Sequence, residues 1–370
     1  MLWSISPFVK SAYGIQAAQL TKLFTELGHD VTFLCYSGFK GHANFEGVPI
    51  IGVEDNGLSV LPKLSEGKDL VLAFFDLWTL PLAFDPSALI AYQPIDHSPM
   101  SFRIRMLLSK AKGSISMTRF HQQECEKVGI KSVYIPHFVN SEVFKPMDKK
   151  ECRKAWGWDQ DAFIVGINAA NVGLRKNFEG MIDAFALAKK SCPDMKLALH
   201  TYLIRDYTHE SGIDIINILG LHKLEEDKDW YVTDQQEYLI GLPDEAMATW
   251  YNGLDVLMLC SLGEGFGIPI VEAALCGKPS IVTDFAAAPE VAGVCSFIVP
   301  AEGSVYFPLN KTLLRRPEVK DIADALKLAD YNRDNLKALG EGSLAHAKAN
   351  YTKEVAAPMW EAYLSTLPIE

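Results

Sequence analysis

No cysteine pair in this 370-residue sequence has the C-x-x-C spacing, and the seven cysteines are scattered and odd in number. That usage argues against a disulfide framework and a structural zinc site, and for a reducing compartment. No basic stretch followed by a long apolar run is visible at the N-terminus, so no signal peptide is expected. The most apolar stretch, residues 70–92, is interrupted by Asp76, Pro81 and Asp85. It reads as buried strands and not as a membrane span. No G-x-G-x-x-G turn follows the first strand, so a dinucleotide fold is not indicated. There is no internal repeat and no low-complexity tract. A cytoplasmic protein is the expectation.

What remains is an ordinary globular composition, with 49% hydrophobic and 22% charged residues. A chain of this length exceeds one ordinary core, which predicts two domains. The net charge of −11 is unevenly placed. Residues 1–150 carry 15 basic and 14 acidic side chains, and the remainder carries 20 and 32. An acidic whole does not suit general nucleic-acid binding. Segment 97–137 has 7 basic and 2 acidic residues, which leaves open a peripheral membrane or DNA contact through residues 97–131.

Strands are expected at 2–6, 31–35, 69–75, 88–92, 114–117 and 133–137, with a helix from about Ile15 to Leu27. Asp96 and His97 follow the 88–92 strand, where ligands sit in open α/β sheets. A domain boundary is placed in the polar, tryptophan-containing stretch 138–160. Beyond it, strand and helix signals alternate again, and the last helix, about 352–366, carries an apolar stripe. The fold class is α/β, with domains at 1–145 and 146–350 and a C-terminal helical segment, 351–370, packing back on the first domain.

The most informative stretch is Ser261-Leu-Gly-Glu264-Gly-Phe-Gly-Ile268-Pro-Ile-Val-Glu272-Ala-Ala-Leu-Cys-Gly277. An apolar strand leads in, a glycine-rich turn follows, and a short helix leads out. Pro269 suits a helix start and Gly277 a left-handed helix end. A strand–glycine loop–helix unit makes an anion site. Carboxylates do not bind phosphate but accept well from vicinal hydroxyls, so Glu264 and Glu272 beside such a cradle fit a ligand that is part phosphate and part sugar.

This stretch resembles the E-x7-E signature of the retaining family 4 glycosyltransferases of GT-B fold. Ser11-Ala-Tyr-Gly14 resembles that family's N-terminal glycine loop, Arg175-Lys176-Asn177 its basic loop, and Tyr134-Ile-Pro-His137 with Phe144-Lys-Pro146 its linker. Met247, Tyr251-Asn252 and Asp255-Val256 resemble the helix and strand leading into the motif. The resemblance implies two doubly wound Rossmann-like domains facing each other across a cleft. It also implies transfer of a sugar from a nucleotide-diphosphate sugar, UDP-glucose by default, to a saccharide, lipid or small-molecule acceptor. As implied roles, Glu272 holds the ribose hydroxyls, Glu264 contacts the donor sugar, and Lys176 neutralises the leaving diphosphate. Gly265, Phe266, Gly267 and Ile268 line the distal phosphate, and Gly14 lets the N-terminal loop approach it. His97 lies beside sugar and acceptor as a catalytic residue, with Asp96 and Arg103 as acceptor contacts. Relatives place an arginine about five residues before the lysine; Asn171 stands there, and Arg175 is the candidate for the second positive charge. Asp159-Gln-Asp161 and Asp227-Lys-Asp229 have the Asp-x-Asp spacing of metal-dependent transferases, but they read as solvated surface. No cofactor and no metal are expected. Two other readings remain: a phage-type DNA-base glucosyltransferase, and a protein that binds a nucleotide sugar without transferring it.

Overall fold

Continuous apolar runs of four to six residues, each followed by a loop and a helix, are what a buried parallel sheet demands. The computed structural model places them in two such sheets. It describes residues 1–81, 83–204, 212–308 and 311–367. By internal contacts the chain divides into a first unit of 1–138, 308–312 and 353–370, and a second of 139–307 and 313–352.

The first unit holds β1 (Leu2–Ile5), β2 (Phe33–Ser37), β3 (Gly41–Phe45), β4 (Val48–Gly52), β5 (Val71–Phe74), β6 (Leu89–Tyr92), β7 (Gly113–Ser116) and β8 (Val133–Tyr134). Their order is β3-β4-β2-β1-β5-β6-β7-β8, parallel except where β3 pairs antiparallel with β4. One buried cluster includes Trp3, Leu34, Phe75, Leu77 and Ile104. Helix Ala12–Glu26 begins three residues before the expected Ile15, because the Ser11 side chain caps it by accepting from Gly14 N.

The second unit holds β9 (Phe163–Asn168), β10 (Met195–His200), β11 (Trp230–Val232), β12 (Val256–Leu259), β13 (Ser280–Thr283) and β14 (Phe297–Val299), all parallel, in the order β11-β10-β9-β12-β13-β14. This is the doubly wound order in which successive strands run outward one way from β9 and then the other way from β12. Ligands of such sheets sit outside the carboxyl ends of the strands at that reversal. A two-stranded ribbon of β15 (Gly303–Phe307) and β16 (Thr312–Arg316) is separate from both sheets.

The chain first passes from one unit to the other at Phe138/Val139. Val139 N donates to Tyr351 O at 3.0 Å, and Val139 bridges Thr352, which ties it to the second unit. Within the polar stretch 138–160, Lys149–Ala155 is a helix capped by Asp148. Helix Lys353–Ser365 belongs to the first unit, where Trp360 packs edge-on against Phe24 and Tyr92. Residues 368–370 of the expected C-terminal segment lie outside the described residues. No helix among the described residues is long and apolar enough to cross a membrane.

Candidate active site at the reversal of the second sheet

Two loops leave the carboxyl ends of β9 and β12, and they carry the basic pair and the first glutamate. After β9 the chain passes Asn171 and Gly173 (φ 59°) into a single turn, Leu174–Lys176. Asn177 then takes a left-handed conformation (φ 52°) at the start of helix Phe178–Lys189, and its side-chain amide donates to Cys260 O at 2.9 Å. Leu262 N donates to Arg175 O at 2.8 Å. The two loops are thereby stitched together by main-chain and amide bonds.

Glu264 is 5% exposed. Lys176 Nζ reaches its Oε1 at 2.6 Å, and Arg175 Nη1 lies 3.5 Å from its Oε2. Burial alone would raise this carboxyl, but the charges of Lys176 and Arg175 outweigh it and hold Glu264 below the usual carboxylate range. Arg175 Nη1 also donates to Gly263 O at 2.8 Å. Arg175 therefore braces the Glu264 loop as well as adding charge to it.

Helix Ile268–Leu275 begins at Gly267, whose φ of 95° lies in the left-handed region. That is the sharp reversal the turn needs, and it sets the first N–H groups of the helix, which have no partner within it, beside the glycine loop. Pro269 is the second helical residue, and Gly277 (φ 71°) follows the helix end.

Glu272 lies on this helix, 7% exposed. Its Oε2 accepts from Tyr251 OH at 2.6 Å, and Tyr251 OH accepts from Asn168 Nδ2 at 2.6 Å. Burial pushes Glu272 up to about 7; the Tyr251 hydrogen bond works against that and Asp244 adds to it. Tyr251 and Asn168 are site residues that sequence reasoning did not single out for chemistry. Tyr251 stands twenty-one positions before Glu272, so no local spacing links them. Asn168 had one readable signal, its place at the carboxyl end of an apolar run.

Glu264, Glu272, Lys176, Arg175, Gly265, Phe266, Gly267 and Ile268 thus gather on adjoining elements of the second unit. Gly14, Asp96, His97 and Arg103 belong to the first. A Cβ on Gly14 would stand 2.0 Å from Val9 O, so this glycine is required by helix-to-loop packing within its own unit. His97 is 1% exposed; its Nδ1 pairs with Asp96 Oδ1 at 2.8 Å, and Nε2 accepts from Ser101 N at 3.2 Å. Ser101 caps the helix that follows. Arg103 Nη2 donates to Leu80 O.

One residue singled out in the sequence gains a role, and one expectation changes. Asn171 is buried, with its amide shared among Tyr202 O, Ile213 O and Ile213 N, so it fastens neighbouring chain and contributes no charge. Asp229 is not solvated surface. It is 7% exposed, pairs with Lys189 at 3.0 Å and accepts from Glu225 N, whereas Asp159, Asp161 and Asp227 are exposed as expected.

Among curated proteins, the chain is 24% identical over 218 residues to a D-inositol 3-phosphate glycosyltransferase of Kribbella flavida, covering 57% of this chain and 45% of that protein. It is 28% identical over 164 residues to the serotype-specific mannosyltransferase WbdA of Escherichia coli, covering 44% and 18%. The matched segments span less than half the length of these relatives. Among solved structures, sucrose-phosphate synthase from Thermosynechococcus elongatus superposes with a TM-score of 0.76 at 17% identity, over 99% of this chain and 98% of that one. Anabaena HepE, solved in complex with UDP and glucose, gives 0.71 at 15% identity over 97% and 98%. The fold is α/β of the GT-B class. Residues 167–307, which contain both glutamates and the basic pair, match the family model described as glycosyl transferases group 1.

Proposed function

We propose that this protein transfers a sugar from a nucleotide-diphosphate sugar, a UDP-glucose-like donor, to a saccharide, lipid or small-molecule acceptor, with retention and without a metal. The observation that carries this reading is the pairing of two unlike carboxylates around one helix start. Glu264 is held ionised beside Lys176 and Arg175, and Glu272 is buried near neutrality beside Tyr251. Breaking a sugar–phosphate bond leaves a diphosphate with extra developing charge. Lys176, Arg175 and the free N–H groups at Gly267 and Ile268 are the fixed donors that stabilise it. An ammonium carries three donors, so Lys176 can hold Glu264 and a phosphate oxygen together. Glu272 takes the ribose hydroxyls and Glu264 those of the sugar being moved. The leaving phosphate itself accepts the acceptor's proton as attack occurs on the same face. His97, oriented by Asp96, is the further catalytic candidate that the family resemblance implies. The complexes of HepE with UDP and with UDP-glucose support the choice of nucleotide and sugar.

Thermal-shift measurements with UDP, GDP, ADP and their sugars test the donor site. One nucleoside diphosphate raises the melting temperature, by about 2.7 kcal/mol of added stability at a hundred times its Kd. No response to any of them would remove the donor-site assignment. Donor hydrolysis followed by nucleotide release then tests the chemistry: Glu264→Ala and Lys176→Ala abolish it.

A further inference from the structure

We infer that Tyr251 is the positioning residue that makes Glu272 selective for a vicinal diol, and that Asn168 sets the direction of its hydrogen bond. This rests on the donor-site reading above and names the device by which that site distinguishes a ribose from its deoxy analogue.

Asn168 sits at the last position of β9, and its Nδ2 donates to Tyr251 OH at 2.6 Å. An amide nitrogen can only donate, so the phenol oxygen is an acceptor there. Its single hydrogen is then directed to Glu272 Oε2, also at 2.6 Å. Tyr251 is fully buried, with its ring wedged edge-on between Trp250 at 5.2 Å and Phe144 at 6.1 Å. It has no freedom to turn its hydroxyl elsewhere. One carboxylate oxygen is therefore occupied and fixed in rotation about the Cγ–Cδ bond. Oε1 accepts no hydrogen bond among the described residues. An ionised carboxylate held this way offers its remaining lone pairs in one orientation, which suits two adjacent hydroxyls. The same carboxylate without Tyr251 would rotate, and would give up that orientation on binding. The chain Asn168–Tyr251–Glu272 joins three elements at the reversal: a strand end, a helix leading into β12, and the helix leading out of the glycine turn.

The experiment measures calorimetric affinity of the full chain for UDP and for 2′,3′-dideoxyuridine diphosphate, with the GDP and ADP pairs alongside. The wild type prefers the diol form. Tyr251→Phe, which keeps the ring and its packing, loses about tenfold of that preference, as expected for a hydrogen bond to a charged group, and leaves affinity for the dideoxy form unchanged. Glu272→Gln loses the preference as well, and the double variant loses no more than the larger single one. Asn168→Asp provides an independent variant: an aspartate accepts from Tyr251 and turns its hydroxyl away from Glu272, so the preference falls with the tyrosine still present. Equal weakening of both ligands in Tyr251→Phe would overturn the inference and leave Tyr251 a packing residue, as would an unaltered preference. A wild type that binds no nucleoside diphosphate at all would instead bring down the donor site on which the inference stands.

Discussion

Glu264 and Glu272 lie eight positions apart and are buried to nearly the same degree, yet their surroundings drive their protonation in opposite directions. Glu264 meets two cations; Glu272 meets one hydroxyl and the negative charge of Asp244. That contrast has consequences for each residue. On the proposed donor reading, the diol-dependent part of nucleotide binding strengthens as pH rises through about 7, where Glu272 ionises. Titrating UDP against its dideoxy analogue from pH 6 to pH 8 checks this, because phosphate titration is common to both ligands. A ratio independent of pH would separate Glu272 from the diol. For Glu264, the Lys176→Met variant leaves its buried charge with Arg175 alone, and stability falls on the order of 2–3 kcal/mol, somewhat less than complete orphaning of a buried ion costs. Adding Glu264→Gln in the same chain restores most of the loss, read as melting temperature at pH 7.

At the scale of elements, the glycine turn and its helix do the placing. Gly267 at φ 95° holds the start of helix Ile268–Leu275, and a Cβ there would stand 2.8 Å from Ile270 Cδ1. Gly267→Ala is expected to cost about 1–2 kcal/mol in backbone strain, and to abolish the nucleotide-induced rise in melting temperature. A variant that keeps the full rise would show that the N–H groups at this helix start do not contact the ligand. This element was legible in the amino-acid order alone, because Pro269 and Gly277 mark its ends and Glu264 and Glu272 its content. The parallel strands were legible for the same kind of reason: a strand buried on both faces must be a continuous apolar run. The β3–β4 hairpin was not, since Gly41–Phe45 is an edge strand with exposed polar residues and no such run. Helix Lys149–Ala155 was masked by its charge, with five of its seven residues Lys, Glu or Arg. Nor was the bond from Tyr251 to Glu272 legible, because it crosses from one helix to another and depends on the sheet order that brings them together. Asn171 marks the same limit: its type stood out as a departure, but only the paths of Tyr202 and Ile213 show what it does.

Across the whole molecule, buried histidines decide the response to acid. Burial holds His121 and His137 down at about 3 and His200 at about 4. Each is neutral in the fold and gains a proton on unfolding below its ordinary value near 6.5. Their stabilising contribution is complete above that value and is lost as pH falls toward 4 and 3. Glu272 acts the other way, since its raised value makes stability decline from about 4.5 up to about 7, but it is one group against three. The melting temperature is therefore expected to fall between pH 7 and pH 5. Both ring nitrogens of His121 lack a hydrogen-bond partner among the described residues, so His121→Leu melts above the wild type at pH 5, with the gap narrowing at pH 8. A gap that stays constant with pH would assign the effect to packing. The path of the chain carries a last consequence. It passes between the two units at 138/139, 307/308, 312/313 and 352/353, and Trp360, fully buried against Phe24 and Tyr92, lies beyond the last of these crossings. Neither unit is a contiguous stretch of sequence. Expressing residues 1–138 alone would yield a sheet missing one of its own core tryptophans, and a protease cutting once in the linker would nick the molecule without releasing either half.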